Sequence, residues 1–207
     1  MAKKILINIG RQFGAGGKGV ALILGERLGI PVYDNELLQK AAEESGFSPA
    51  FFRKSDERRR LWRFGSLFGL NRASAYAPSG IDGTELFRYQ SAAIRDLAQQ
   101  GDAIFLGRAS DYVLRDMECL DVFICAPLED RVARVRERTG LSVEEAEKYI
   151  LRKERNRENY YNFFTLGNWG VASNYDLCLD SSRLGLEGCA DLIIDFGRKA
   201  GLIPPID

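Results

Sequence analysis

The chain has 207 residues, of which 45% are hydrophobic and 28% are charged, a balance typical of a single globular domain over residues 1–207. Lys and Arg together number 29, as do Asp and Glu, so the net charge is zero and gives no reason to expect nucleic acid or an anionic membrane as a partner. Histidine is absent, which excludes Ser-His-Asp and Cys-His catalysis as well as histidine-ligated metals.

The first predicted element is a buried parallel strand over residues 5–9, a short and largely β-branched apolar run. This run is too short for a signal-peptide core, and no apolar run is long enough to span a bilayer, so we expect a cytoplasmic protein without a membrane partner. After a glycine-rich loop, apolar residues recur at helical spacing over residues 20–28 until Gly29. Residues 31–33 are predicted to form a second short strand that ends at Asp34.

The next segment is predicted to be helical in two pieces over residues 35–62. Residues 65–83 are rich in Gly, Ser and Ala, which is typical of a mobile loop or of a linker to a flap. A helix is then expected from about Asp82 to Gly101, and residues 103–106 form an apolar run that predicts the third strand.

The second half of the chain continues this alternation. Residues 121–126 are the predicted fourth strand, and a capping box of Ser142 and Glu145 begins a helix that runs to about Asn159. A fifth strand over residues 175–179 and a terminal amphipathic helix follow. Strands that alternate with helices predict an α/β fold with a parallel sheet.

The glycine-rich loop lies between the first strand and the first helix and reads GRQFGAGGKG over residues 10–19. Glycines let backbone amides turn towards phosphate oxygens, and the helix that follows directs its positive N-terminus at the same place. Lys18 adds an ammonium group that can reach the outer phosphates of a nucleotide, so we also assign it a catalytic role. The residues predicted to bind the phosphates are Gly14, Ala15, Gly16, Gly17, Lys18 and Gly19.

This loop matches the phosphate-loop pattern GxxxxGK[ST] only in part. Counted back from Lys18, the first glycine would be residue 12, which is Gln, and the hydroxyl residue would be residue 19, which is Gly. The hydroxyl normally helps to hold magnesium. Because Gly10 and Gly14 are also present, the pattern could be displaced by one or two residues. The alternative is a glycine-rich turn of a doubly wound fold that binds another ligand.

Several segments resemble the cytidylate-kinase-like family, a branch of the nucleoside-monophosphate kinases within the P-loop fold. The likeness covers nearly the whole chain and is carried by GRQFGAGGK (10–18), IPVYDNELL (30–38), LGRASDY (106–112), VFICAPLEDR (122–131) and NYDLCLDSSRL (174–184). It implies a three-layer αβα P-loop domain with a five-stranded parallel sheet, a helical flap over the acceptor within residues 35–83 and an arginine-bearing lid within residues 131–170. It also implies ATP and Mg²⁺ as cofactors and nucleotides as substrates.

Four residues are candidates for binding the acceptor. Asp34 ends the second strand, where open α/β sheets bind ligands, and it could orient the acceptor, hold magnesium through water or cap the following helix. Arg108 matches the family's arginine after the third strand, which contacts the acceptor nucleotide. The aspartate that typically follows it is here Ala109, with Asp111 two residues further on. Arg53, in the expected flap, is the fourth candidate and could meet a phosphate.

Arginines crowd the expected lid region. In nucleotide kinases such arginines clamp the β- and γ-phosphates as the lid closes, and we predict catalytic roles for Arg131, Arg152 and Arg157. The alternative for each of them is a solvated helix face. The aromatic run over residues 160–164 could stack a base, although packing or a homodimer contact fits it better.

Together these residues predict ATP-dependent phosphoryl transfer to a nucleoside monophosphate, with a cytidylate-like acceptor preferred. The acceptor phosphate is already anionic at neutral pH, so catalysis needs positioning and charge neutralisation rather than a histidine base. No side-chain metal site is predicted, because the four cysteines form no CxxC pair and are expected to be free thiols. The alternatives are a kinase of another small metabolite and, since residue 19 is Gly, a nucleotide-binding regulator without catalysis.

Overall fold

The computed structural model describes residues 3–38 and 83–205. Of the two helical pieces predicted over residues 35–62, only residues 35–38 can be compared, and they are helical. The rest of the expected flap, including Arg53 and the glycine- and serine-rich loop, lies outside the described residues.

Strands and helices alternate along the described residues, as the sequence predicts. The strands are β1 (Leu6–Arg11), β2 (Val32–Tyr33), β3 (Ala103–Leu106), β4 (Leu120–Cys125) and β5 (Leu177–Asp180). The helices are α1 (Gly17–Leu28), α2 (Gly83–Gln100), α3 (Ser110–Val113), α4 (Leu128–Thr139), α5 (Val143–Thr165) and α6 (Ser181–Lys199), and a 3₁₀ turn covers Ala172–Asn174.

The five strands form one parallel sheet in the order β2-β3-β1-β4-β5, which confirms the predicted sheet. At its centre, Ile7 of β1 pairs with Ile104 of β3 on one side and with Leu120 of β4 on the other. From β1 the chain goes to the edge strand β2, returns to β3 beside β1, and then crosses to β4 and β5 on the other side. Open α/β sheets bind ligands beyond the carboxyl ends of the strands where the direction of winding changes in this way. The glycine-rich loop follows β1, so it lies at this edge.

Helices cover both faces of the sheet and complete three αβα layers. Side chains alternate along β1, so Ile7 and Ile9 are fully buried in a core with α1 and α6. Leu6 faces the opposite side and packs in a second core with Phe105 of β3 and Ile94 of α2. Because both faces are apolar, the strands read as nearly continuous hydrophobic runs.

A third, smaller core joins α4 and α5 beside the glycine-rich loop, within the segment predicted as the lid. It consists of Val132, Val135, Ala146 and Ile150, with Phe13 of the loop packed against it. The two helices therefore form a pair that contacts the loop through an aromatic ring.

The predicted capping box begins α5 and is confirmed. The amide of Glu145 donates to Oγ of Ser142 at 3.3 Å, and the amide of Ser142 donates to Oε2 of Glu145 at 2.9 Å. The helix continues beyond Asn159 to Thr165, because no helix-breaking residue interrupts it before Leu166, which adopts a left-handed φ of 55°.

The first strand is longer than predicted, because Arg11 still pairs with Ile124 of β4. The four cysteines are free thiols, as predicted. No helix within residues 3–38 and 83–205 is long and apolar enough to cross a membrane.

Candidate functional site

The glycine-rich loop turns over the carboxyl end of β1 and leads into α1. Gly14 and Gly16 both have a φ of 83°, in the left-handed region that favours glycine, and Gly16 is the N-cap of α1. A Cβ at Gly14 would lie 3.1 Å from the backbone oxygen of Arg131, and a Cβ at Gly16 would lie 2.5 Å from Leu186. The loop therefore requires glycine at these two positions for its backbone angles and for lack of space.

Gln12 fastens the loop to β4. The backbone amide of Gln12 donates to the backbone oxygen of Ile124 at 3.0 Å, and the side-chain Oε1 of Gln12 accepts from the backbone amide of Ala126 at 3.1 Å. Counted from Lys18, this is the position at which the phosphate-loop pattern expects its first glycine. The glutamine there serves as an anchor between the loop and the sheet.

Lys18 forms an ion pair with Asp34. The distance from Nζ of Lys18 to Oδ2 of Asp34 is 2.8 Å, and the lysine side chain is 66% exposed. The hydrogen bond to Asp34 raises the pKa of Lys18. Burial by itself would raise the pKa of Asp34, but hydrogen bonds from Lys18 and from the amides of Leu37 and Glu36 outweigh burial and lower it.

Asp34 also caps the helical turn that follows it. Its Oδ1 accepts from the amides of Glu36 and Leu37 at 3.1 and 3.2 Å, which confirms the capping interpretation. Its carboxylate faces the same cavity as the glycine-rich loop. The two further roles, orienting the acceptor and holding magnesium through water, stay predictions.

Two other glycines of the loop are crowded by distant side chains. A Cβ at Gly17 would lie 2.7 Å from the Cβ of Arg11. A Cβ at Gly19 would lie 2.7 Å from Cδ1 of Leu186 on α6. A Ser or Thr side chain at position 19 would therefore have to displace the end of the Leu186 side chain.

Three arginines meet beside the loop: Arg11 at the end of β1, Arg108 just after β3 and Arg157 on α5. Nη1 of Arg157 donates to the backbone oxygen of Arg11 at 2.9 Å. Burial, and then the charges of Arg157 and Arg108, lower the pKa of Arg11 to about 9, with Asp34 opposing them. Burial lowers the pKa of Arg157, while the charge of Glu154 opposes this shift and that of Arg108 adds to it. Such a concentration of guanidinium groups suits a phosphate ligand.

Arg108 lies in a strained turn. Gly107, Arg108 and Ala109 have successive φ values of 75°, 63° and 54°, which are unusual for arginine and alanine. The guanidinium lies over the ring of Tyr160, 5.1 Å from its centroid. The backbone and an aromatic ring therefore hold the predicted acceptor arginine at the carboxyl edge of the sheet.

Asp111 lies close by, in α3. Its Oδ2 accepts from the hydroxyl of Tyr161 at 2.7 Å, and burial raises the pKa of the Asp111 carboxyl. The buried hydroxyl of Tyr175 has no hydrogen-bond partner among the residues that the structure describes. Asp111, Tyr161 and Tyr175 line one cavity, so a ligand there would meet a carboxyl group beside two aromatic side chains.

Two adjoining cavities share the arginine cluster. The β3 cavity, of about 410 Å³, is lined by Arg108, Asp111, Tyr160, Tyr161, Trp169 and Tyr175, among others. The loop cavity, of about 390 Å³, is lined by Gly14, Gly16, Gly17, Lys18, Arg134 and Arg138, among others. Arg11 and Arg157 line both cavities. The cluster therefore lies where ligands of the two cavities would meet.

The three predicted lid arginines lie in different environments. Arg157 lines both cavities. Arg152 is exposed and lies over the ring of Tyr149, 5.4 Å from its centroid. Arg131 is 6% exposed, and its Nη1 lies 2.7 Å from Oε1 of Glu154. Neither Arg131 nor Arg152 lines either cavity, so their catalytic roles stay predictions.

Sequence reasoning assigned no individual role to Arg11, Arg134 or Arg138, although Arg134 belongs to the arginine cluster predicted for the lid. The structure places all three on the loop cavity. Helical spacing carried a signal for two of them. Arg131 precedes the fully buried Val135 by four residues and so shares its face, whereas Arg134 and Arg138 are four residues apart on another face. For Arg11, the signal was a long cation two residues beyond the predicted buried strand.

The aromatic run over residues 160–164 divides between two environments. Tyr160 and Tyr161 line the β3 cavity, whereas Phe164 stacks on Phe87 of α2 with 4.2 Å between centroids. Phe163 is 69% exposed. A homodimer contact through this run stays a prediction.

Comparison with known proteins places these features in context. The profile of the cytidylate kinase-like family matches residues 6–183. The cytidylate kinase of Methanopyrus kandleri is 30% identical over 189 residues, which cover 86% of this chain and 86% of that protein. The cytidylate kinase of Pyrococcus horikoshii is 27% identical over 187 residues, which cover 89% and 84%.

Solved structures show the same fold. An uncharacterized protein from Eubacterium ventriosum matches with a TM-score of 0.72 at 24% identity, covering 93% of this chain and 98% of that one. Shikimate kinase from Bacteroides thetaiotaomicron matches with a TM-score of 0.53 at 11% identity, covering 93% and 97%. The described strands and helices thus have the same arrangement as this shikimate kinase, and the likeness at such identities extends to the fold alone.

Proposed function

The chain belongs to the cytidylate kinase-like family, and we therefore propose that it transfers the γ-phosphoryl group of ATP to a nucleoside monophosphate, with a cytidylate-like acceptor preferred. The relatives named cytidylate kinase support this acceptor. The chemistry requires two phosphate-bearing ligands that meet end to end, with their mutual repulsion neutralised.

The observation that carries the proposal is the position of Arg11 and Arg157 between two adjoining cavities. In the loop cavity, the N-terminus of α1 and the side chains of Arg134 and Arg138 suit a triphosphate. The β3 cavity, with a volume in the usual range for small ligands, suits the acceptor. The guanidinium groups between them would contact the phosphoryl group in transit.

The walls of the β3 cavity support a nucleoside monophosphate as its ligand. Tyr160, Tyr161 and Trp169 offer rings on which a base can stack. The carboxylate of Asp111 can accept a hydrogen bond from an exocyclic amino group, such as that of cytosine. Arg108 is the matching contact for the acceptor phosphate.

Magnesium would accompany the triphosphate. Residues 3–38 and 83–205 contain no group of three or more acidic or cysteine side chains that could hold a metal by themselves. Mg²⁺ commonly takes only one or two carboxylates and completes its shell with phosphates and water, and Asp34 on the loop cavity fits that need. The bound ion would neutralise charge on the β- and γ-phosphates.

An ADP-release assay with Mg·ATP and a panel of CMP, dCMP, UMP, AMP and GMP tests the proposal. We expect the highest kcat/KM with a cytidine nucleotide. Arg108→Met should raise KM for the monophosphate by about tenfold or more, with KM for ATP nearly unchanged, because it removes a contact to one substrate only.

Arg115→Met is the matched control for this variant. Arg115 also lies over a tyrosine ring, 4.3 Å from the centroid of Tyr112, but it lines neither cavity. Its replacement should leave both KM values unchanged. Folded wild-type protein that turns over none of the five monophosphates would refute the proposal.

Gly19 supports a second candidate, a regulator that binds nucleotide without catalysis. Counted from Lys18, position 19 is where the pattern has the hydroxyl that normally helps to hold magnesium, and glycine has none. Titration of ATP with and without Mg²⁺ separates the two candidates. ATP binding that does not depend on magnesium, without turnover, favours the regulator. A kinase with a different acceptor is favoured instead if the protein transfers phosphate from ATP to a small metabolite that is not a nucleotide.

A further inference from the structure

We propose that Arg11 is the phosphate-binding cation of the glycine-rich loop, in place of the lysine that the phosphate-loop pattern puts at the start of the helix. This inference rests on the proposed function, since it names a residue that binds the triphosphate at the same site. The pattern, the packing and the charges of the described residues each support it.

The backbone sets the register of the loop one residue before the count from Lys18. Gly16 is the N-cap, and Gly17 is the first residue of α1. With Gly16 as the glycine that precedes the lysine in GxxxxGK, the seven positions are residues 11–17. The pattern then expects Gly at position 11 and Lys at position 17. The chain instead has Arg at position 11 and Gly at position 17. The cation therefore lies at the first position of the pattern rather than at the seventh.

Positions 11 and 17 share one space. A Cβ at Gly17 would lie 2.7 Å from Cβ and 3.0 Å from Cγ of Arg11. A lysine at position 17 therefore cannot coexist with Arg11 on this backbone. Further along, the guanidinium of Arg11 occupies the position of a Cβ on Gly107, whose φ is +75°. Because Gly17 and Gly107 have no side chains, the side chain of Arg11 can extend across the carboxyl edge of the sheet.

The charged groups around Arg11 favour binding of an anion. Within residues 3–38 and 83–205 no carboxylate forms an ion pair with it, while Arg108 and Arg157 add positive charge beside it. Arg11 is partly buried. A cation withdrawn from water without a counter-ion is costly, and a bound phosphate would supply the missing negative charge. Lys18, in contrast, is 66% exposed and already paired with Asp34.

Binding of ATP and of inorganic tripolyphosphate, measured by calorimetry in the presence of Mg²⁺, tests the proposal. Arg11→Met keeps the aliphatic stem but removes the charge, and it should weaken both ligands by about 30-fold or more. Lys18→Met removes the competing loop cation and should weaken both ligands less than Arg11→Met does. Arg115→Met, at an arginine that lines neither cavity, is the matched control and should leave both affinities unchanged. Arg11→Lys should fall between wild type and Arg11→Met.

The double variant Arg11→Gly with Gly17→Lys returns the cation to the helix and is expected to recover most of the affinity. The proposal is overturned if folded Arg11→Met binds both ligands like wild type, or if Lys18→Met loses more affinity than Arg11→Met does. Should Arg11→Met fail to fold, the double variant decides: affinity within about fivefold of wild type supports the exchange of positions 11 and 17, and loss of binding by the folded protein overturns it.

Turnover is measured separately, so the two proposals can fail independently. Tight ATP binding that depends on Arg11, together with no transfer to any monophosphate, would refute the proposed function and leave the role of Arg11 intact. Transfer to CMP that is unaffected by Arg11→Met would refute the role of Arg11 and leave the proposed function intact.

Discussion

Arg131 and Glu154 form a buried ion pair behind the glycine-rich loop, and its removal is expected to change stability before it changes chemistry. The two side chains are 7% and 15% exposed, and Nη1 of Arg131 lies 2.7 Å from Oε1 of Glu154. At an effective dielectric of 20, unit charges at this separation attract by about 6 kcal/mol, before the cost of their lost hydration is subtracted. Loss of one partner leaves the other charge buried and unpaired, which typically costs about 3–5 kcal/mol.

A double-mutant cycle measures this pair. Urea unfolding of Arg131→Met, Glu154→Leu and the double variant at pH 7 should show that each single change lowers the free energy of unfolding by about 3–5 kcal/mol. The double variant should lose only about 0–2 kcal/mol, since two apolar side chains replace two charges. Arg152→Met is the control: the residue is an exposed arginine of α5, and its loss should matter by less than about 0.5 kcal/mol. Additive losses in the double variant would refute the reasoning.

Turnover of the double variant then tests the catalytic role predicted for Arg131. Neither Arg131 nor Glu154 lines the β3 cavity or the loop cavity, so we expect the kcat of the folded double variant to stay within about tenfold of wild type. A stable double variant without activity would instead support direct contact between Arg131 and the phosphates. The assay is ADP release with the best monophosphate of the panel.

Three further predictions concern single positions. Gly107→Ala should weaken ATP binding by about tenfold in calorimetry, because the new Cβ displaces Nη1 of Arg11. Gly29→Ala is the control, because Gly29 has a φ of +66° and a Cβ there would meet nothing within 4 Å. It should lower stability by only about 1 kcal/mol and leave the affinity for ATP unchanged. Ser142→Ala breaks the capping box of α5 and should lower the free energy of unfolding in urea by about 1 kcal/mol; no change would show that the cap is dispensable. Burial raises the pKa of Asp121 to about 6, so its contribution to stability is complete below about pH 4 and is lost as pH rises through 6. Asp121→Asn should therefore reduce the fall in unfolding free energy between pH 4 and pH 7 by up to about 3 kcal/mol, and a difference from wild type that is independent of pH would contradict this.

Elements with purely local signals could be predicted from the amino-acid sequence. The third strand was predicted at the observed bounds because an apolar run of four residues ends at Gly107, which can adopt a left-handed turn. The start of α5 was predicted because Ser142 and Glu145 satisfy each other's amides within one turn. The alternation of such elements was enough for an α/β fold with a parallel sheet.

The candidate site was only partly accessible in this way. A glycine-rich turn between a strand and a helix, together with Asp34 and Arg108 at strand ends, predicted a ligand site at the carboxyl edge of the sheet, and two cavities lie at that edge. The importance of individual arginines was not accessible to the same reasoning. Spacing on a helix says which residues share a face, but not what the neighbouring element places against that face.

Sequence by itself thus determined the order of the elements, the position of the loop and the absence of histidine chemistry, because each depends on residues that are near in the chain or on composition alone. Only the tertiary structure decided that Arg11 runs past Gly17 to Gly107, that Leu186 lies against Gly19 and that Arg131 is buried. These outcomes depend on contacts between segments up to 167 residues apart, from residue 19 to residue 186. The physical reason is that the space and charge around a side chain are set by how the layers pack, and no local pattern specifies that packing.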